Sequence, residues 1–464
     1  MLRNSSYMLP PRRPTLLCRL GAALGLATTL GSSILPANAG GVLDGLFLRP
    51  SLTATNYIHD LPVAPFSADF GRLIRNAVRH ADGVQAAAAR WQAEEFGVDE
   101  ARGAQWPNAM FYGETGFASG GMGTSPYAYG VRVSLPVYDG NSRAFATEAQ
   151  SATSNAARLA AVDELAATLV DLVASAAAIR RSTEILGIRQ SQRAAMVALL
   201  GEIGSERETG TASRVDTDQV QGQITQIDVE LRMTEASRVQ ARESFALIAG
   251  DAPDHVGVVG SLSRTLPRNA EAATAMALDG NPRLGQSLEL AMAAAYNRDS
   301  VRSGLGPSLK LDLDAGQAGD FSTGISRPSA SVMMRLEVPF TFGADARVQR
   351  MAHQAQAAEF EVSAARKGVL AAINGAYLRL GVSRKALSLA TEAQAKAQAV
   401  LLGMRAEREL GERSVFDLIG AQNAYAEAQI RIAELRYEVT VAEHLVAAQI
   451  GQIDEIYGIT IDEL

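Results

Sequence analysis

Ribbons of strict alternation, duplicated about two hundred residues apart, restrict this chain's fold more than any other feature. In Leu309-Lys310-Leu311-Asp312-Leu313-Asp314 every odd position is leucine and every even position is charged. From Val332 to Phe340 the even positions Val332, Met334, Leu336, Val338 and Phe340 are apolar, with Arg335 and Glu337 between them. The first half of the chain repeats this. Tyr127, Tyr129, Val131, Val133 and Leu135 fall on one side, Arg132 and Ser134 on the other, and a weaker partner runs from Ala109 to Phe117. A period of two places one face of a strand in an apolar phase and the other in water. The expected strands are 108–119, 126–137, 307–315 and 329–340, and the small-residue stretches Ser119–Ser125 and Gly316–Arg327 read as hairpin loops.

The duplication extends beyond the strands. Leu135-Pro136-Val137-Tyr138-Asp139-Gly140 matches Val338-Pro339-Phe340-Thr341-Phe342-Gly343 at an offset of 203 residues. Gly210-Thr211-Ala212-Ser213-Arg214-Val215-Asp216 matches Gly411-Glu412-Arg413-Ser414-Val415-Phe416-Asp417 at an offset of 201. Each half reads helix, two strands, very long helix, turn, long helix, over 66–252 and then 253–451, with a terminal segment 452–464. The helical hairpins span 142–250 and 344–451. From Ser142 to Glu208 there is no proline, and at ~1.5 Å per residue that element approaches ~100 Å, far beyond a globular-domain helix. Alanine with leucine and valine at helical spacing suits close, coiled-coil-like packing. At the turns, Gly210 and Gly411 are terminators of the incoming helix. Ser213 and Ser414 are N-caps of the outgoing one, with Asp216 and Asp417 three positions on, a capping-box spacing.

Strands of ~10 residues are long enough to cross a bilayer at a tilt, and the flanking helices offer no second sheet to cover their apolar faces. Four strands cannot close a barrel, because an open edge in hydrocarbon leaves unpaired amides at several kcal/mol each. Copies of the chain must therefore pool strands. Outside the strands, no window supplies ~20 uninterrupted apolar residues for a membrane helix.

The first segment reads as an export signal. Arg12, Arg13 and Arg19 precede an uncharged, mostly apolar stretch from Leu20 to Leu35, closed by Pro36-Ala37-Asn38-Ala39, so residues 1–39 form a signal peptide and 40–65 an N-terminal periplasmic segment. Charge then excludes several functions. Residues 1–39 carry four arginines and no acid, which leaves 39 bases against 50 acids in the rest. Such an acidic body argues against nucleic-acid binding. Cys18, within the signal, is the one cysteine, and the five histidines form no ligand spacing. No cofactor or metal is expected. With no phosphate-binding loop and no nucleophile–base set, neither is an enzyme.

The pattern resembles the TolC-type outer-membrane channel family of efflux and type I secretion systems. Leu135-Pro136-Val137-Tyr138-Asp139-Gly140 is similar to the family's strand-to-helix junction. Gly411-Glu412-Arg413-Ser414-Val415-Phe416-Asp417-Leu418 is similar to its helical tip, and Asn281-Pro282 to the start of its second repeat. The resemblance implies an α+β fold: an outer-membrane β-barrel of twelve strands, four from each chain of a homotrimer, continued by a helical tunnel through the periplasm. It implies a passive exit duct working with a periplasmic adaptor (membrane fusion) protein and an inner-membrane pump of ABC or RND type. It also implies a periplasmic gate, with Arg413 and Asp216 in a locking network and Asp417 in an acidic ring at the aperture. Where the family's best-described member has a second aspartate, this chain has Gly420. Arg132, Arg335 and Glu337 are then expected to face the barrel lumen. The expected absence of a cysteine at the mature N-terminus favours the non-lipidated branch that serves protein secretion. The competing reading is an exported, soluble helical stalk or adhesion protein without a pore.

Overall fold

The computed structural model describes residues 68–116, 126–210, 212–253, 256–257, 259–410 and 412–463. The expected signal peptide (1–39), the segment 40–65, the loop Ser119–Ser125 and Gly411 lie outside the described residues.

Each half opens with two helices rather than the single one expected: α1 (Ala68–Arg79) and α2 (Asp82–Gly103), then α5 (Ala270–Gly280) and α6 (Pro282–Ser303). The second break has a plain local cause. Pro282 has no N–H to continue α5, and the Asn281 side chain accepts hydrogen bonds from the Arg283 and Leu284 amides to start α6. The strands follow as β1 (Asn108–Thr115) and β2 (Pro126–Tyr138), then β3 (Ser308–Asp320) and β4 (Ile325–Glu337). They form one antiparallel sheet in the order β1-β2-β3-β4, so the two hairpins of the duplicated halves join along β2 and β3.

The second hairpin departs from its expected limits. Residues 316–320 and 325–327, assigned to a loop from sequence, are paired strand, and the turn shrinks to four residues, 321–324. Small side chains hid this stretch from any periodicity. Gly319 and Gln317 lie opposite Tyr127 and Tyr129, and the Tyr127 ring packs 4.3 Å from that of Phe321 in the turn. Gly130 and Gly316 face each other where the backbones approach closely. A Cβ on Gly130 would lie 2.5 Å from the Ala315 carbonyl oxygen, so only glycine fits. At the other end β4 stops at Glu337 instead of residue 340, consistent with Pro339 having no amide for a ladder.

The long helices are α3 (Ser142–Glu208), α4 (Arg214–Ala249), α7 (Ala344–Glu409) and α8 (Val415–Gln449). Among the described residues no helix is long and apolar enough to cross a membrane. Helix α3 packs against α2, α4, α6 and α8, and α7 packs against α6 and α8. The upper part of α3 buries Ala149, Ala152, Ala156 and Ala161, and these small side chains allow close helix–helix approach. Near the turns, Met196 and Ile203 of α3, Val220 and Ile227 of α4, Leu401 of α7 and Leu418 of α8 share one apolar cluster that joins the two hairpins. Arg189 of α3 reaches Glu230 of α4 and Glu427 of α8, each at 2.8 Å, and adds a polar tie among the same helices.

The chain's last helix, α9 (Ile453–Tyr457), is held by a buried polar pair. His444 lies 2.8 Å from the Thr440 carbonyl through Nδ1 and 2.9 Å from the Tyr457 hydroxyl through Nε2. A carbonyl on one side and a hydroxyl on the other suit a neutral imidazole. Burial holds the His444 pKa below its ordinary value, against the opposing pull of Thr440 and Glu443. The unfolded chain therefore takes up the extra proton first, so this contribution to stability is complete above about pH 6.5 and declines as the pH falls toward the depressed native value. Hydrogen exchange at residues 453–457, corrected for intrinsic rates, is expected to quicken between about pH 7.5 and about pH 5.5. His444→Gln is expected to remove the His444 part of that step and to leave the opposite trend of Asp454 and Glu455, whose carboxyls burial raises.

Candidate functional site

The register assigns every paired strand residue to one of two faces. Phe111, Val131, Leu313 and Val332 share one side with Tyr129, Leu311, Met334 and Leu336, and Phe111 lies opposite Val131, Leu313 opposite Val332 and Leu311 opposite Met334. The side is apolar and uncovered: Phe111 is 88% exposed, Val332 72% and Met334 67%. At ~25 cal/mol per Å², contiguous apolar surface of this extent demands a partner phase.

The opposite face is charged and internally paired. Arg132, expected to face a lumen, is 3.0 Å through Nε from Asp314 Oδ2 and stacks 4.8 Å above the Tyr112 ring. Tyr112 donates from its hydroxyl to Asp314 Oδ1 at 2.8 Å. Arg335 lies 3.5 Å from Asp312 and 4.0 Å from Glu337. Ser134 donates to Asp312 at 2.7 Å, and Lys310 to Glu337 at 2.8 Å. The three residues singled out from sequence thus share one face. Tyr112, Lys310, Asp312 and Asp314, which contact them, were missing from that set, as was Ser134, which donates to Asp312. The alternation of β3 had already put its acids and lysine on that side, but only the register reveals which charge meets which.

At the helical turns Gly210 adopts a φ of +82°, a left-handed conformation that glycine takes without a Cβ penalty. Both capping boxes are present. Ser213 accepts from the Asp216 amide at 3.2 Å while its own amide donates to Asp216 Oδ2 at 2.9 Å, and Ser414 and Asp417 do the same at 3.2 and 3.3 Å. These bonds from Ser213 hold the Asp216 carboxyl below the usual carboxylate range. Within one chain Arg413 pairs with Glu407 rather than Asp216. The pair that spans the two hairpins is Arg408–Glu206, at 2.9 Å, with the Arg408 side chain largely shielded. Gly420 is exposed one turn beyond Asp417, with open space where a side chain would stand.

The model of the outer membrane efflux protein family matches residues 274–452, which span α6, the β3–β4 hairpin, α7 and α8. Over its second half the chain is similar to the outer membrane efflux protein family. That family is one of outer-membrane transport proteins, not of enzymes. Over 296 residues the chain is 25% identical to the outer membrane efflux protein BepC of Brucella suis biovar 1 (strain 1330), a match covering 62% of this chain. It spans 63% of that curated relative's length. Among solved structures it is similar to CusC, with a TM-score of 0.76 and 16% identity over 87% of this chain and 98% of that one. It is also similar to the open state of the MtrE outer membrane channel of Neisseria gonorrhoeae, with a TM-score of 0.70 and 15% identity over 88% and 97% of the two chains. At these identities the likeness establishes the fold.

Removing the cap hydroxyl by Ser213→Ala or Ser414→Ala is expected to cost about 1 kcal/mol of local helix stability. Exchange at amides 214–217 or 415–418 should quicken about fivefold, with the amides of α9 unaffected.

Proposed function

We propose that three copies of this chain close a twelve-stranded barrel in the outer membrane and a helical tunnel beneath it, forming a passive duct for cargo delivered by an inner-membrane pump. The observation that carries this reading is the single sheet with an uncovered apolar face, a charged opposite face and two free edge strands, β1 and β4. Edge amides in hydrocarbon cost several kcal/mol each unless paired, and pairing β4 of one copy with β1 of the next removes every edge. The helical layer repeats that logic. Its flanking helices leave Val229, Met233 and Leu247 of α4, and Phe360, Leu378 and Leu389 of α7, exposed for a neighbouring copy. A head-to-tail contact of this type closes into a ring when the rotation allows. Twelve strands from three copies accord with the even strand numbers of such barrels.

The turns form the periplasmic mouth, where three copies of Asp417 around a narrow axis repel one another and favour cations. Gly420 leaves that ring without a second carboxylate one turn on. Arg408–Glu206 holds the two tips of one chain together, and an Arg413–Asp216 contact belongs to the meeting of neighbouring chains. Exposed ion pairs contribute only ~0–1 kcal/mol each, so a periplasmic adaptor can release such a latch readily. The pump is of ABC or RND type, and the cargo is either a secreted protein or an exported small molecule. Loss of the gene distinguishes them: raised sensitivity to toxic compounds marks efflux, and intracellular retention of one secreted protein marks type I secretion. A soluble stalk is disfavoured by the exposed sheet face.

The purified protein is expected to fractionate with outer membranes, to need detergent and to run as a trimer. A monomer stable in plain buffer would overturn the reading. In planar bilayers the wild type is expected to show a small resting conductance, and Arg413→Ser or Arg408→Ser a larger one. An unchanged conductance in both variants would remove the latch.

A further inference from the structure

The polar side of the sheet is arranged so that its carboxylates lie deeper than its cations. The Asp312 and Asp314 side chains are 11% and 16% exposed, whereas those of Arg335 and Arg132, which sit on them, are 55% and 42% exposed. Each of the two aspartates also accepts a neutral hydroxyl, from Ser134 or Tyr112, which fixes it against the strand backbone. Lys310 and Glu337 form a third pair nearer the helical end of the strands, and Arg335 bridges it to Asp312. Three cations therefore meet three carboxylates across β2, β3 and β4. The register adds Glu114 of β1, Asp320 of β3 and Arg327 of β4 to the same face, so four cations stand against five carboxylates.

We infer that this lattice is a nearly charge-cancelled lining: the barrel of the proposed duct discriminates little by the charge of its cargo, because Asp312 and Asp314 neutralise Arg335 and Arg132 and the whole face is left with one carboxylate in excess per chain. The inference rests on the pore reading and extends it to the class of cargo the barrel admits, which includes anionic as well as cationic molecules. The physical ground is that a lumen's selectivity follows the uncompensated charge on its wall. A guanidinium with a carboxylate 3.0 Å away presents a dipole to the lumen, not a net charge, and its field falls off steeply with distance. The Tyr112 ring beneath Arg132 holds that dipole in place without adding charge.

The inference predicts opposite effects from removing the two signs. Replacing Asp312 and Asp314 by asparagine keeps side-chain volume and the hydroxyl acceptors while exposing two cations per chain, six per trimer. Lys310→Gln exposes Glu337 instead. The test is the reversal potential of single trimers in planar bilayers under a potassium chloride gradient. Every protein carries Asp417→Asn, so that the proposed acidic ring at the tips does not mask the barrel. The parent is expected to discriminate weakly. Asp312→Asn/Asp314→Asn should shift the anion-over-cation permeability ratio toward anions by about threefold or more, and Lys310→Gln should shift it toward cations. Trimer assembly of each variant, checked by detergent electrophoresis, guards against a misfolded wall. A parent that is already strongly selective, or ratios that stay put in both variants, would overturn the charge-cancelled lining while leaving the pore intact. Absence of any conductance in the parent would overturn the pore and the lining together.

Discussion

Unpaired backbone amides at the two edges of a four-stranded sheet are the constraint on which the rest of this molecule depends. In water an edge strand is satisfied by solvent, but in hydrocarbon it has no such outlet. No described helix of the chain covers the apolar face of β1 to β4, so the sheet's own surface chemistry sends it into lipid. Once there, its edges must be paired by other chains. The proposed assembly is in that sense a consequence of hydrogen-bond accounting, and the helical layer follows suit with apolar side chains left open along α4 and α7.

The two ends of the molecule handle charge differently. On the sheet, carboxylates lie beneath the guanidinium groups and are fixed by hydroxyl donors, so the charges are spent against each other. At the helical turns, carboxylates are spent on capping: Asp216 and Asp417 close the first turns of α4 and α8 and remain only partly shielded. The same residue type thus anchors a cation in one place and a helix start in the other. The ties between hairpins are mixed, an apolar cluster near the turns and ion pairs around it.

Much of the architecture was legible in the sequence because it is periodic. Alternation at period two marked the strands, and a proline-free run marked the length of α3. The serine–aspartate spacing marked both caps, and the duplication gave each reading a second, independent instance. The missed parts lack periodicity. Residues 316–320 are small and polar, yet they pair fully because Tyr127 and Tyr129 stand opposite them. The break between α5 and α6 was within reach, since Asn281-Pro282 is a local signal for a helix start.

The amino-acid sequence by itself determined which faces are apolar, where the long helices begin and end, and that four strands are too few to close a barrel. Those properties depend on neighbours within a few residues, or on counting. Only the tertiary structure decided that β2 pairs with β3, that Asp314 serves Arg132 and Tyr112 together, and that Arg408 rather than Arg413 joins the two tips within a chain. Each of those contacts joins residues about two hundred positions apart, and on the sheet a shift of one residue in register would exchange every partner.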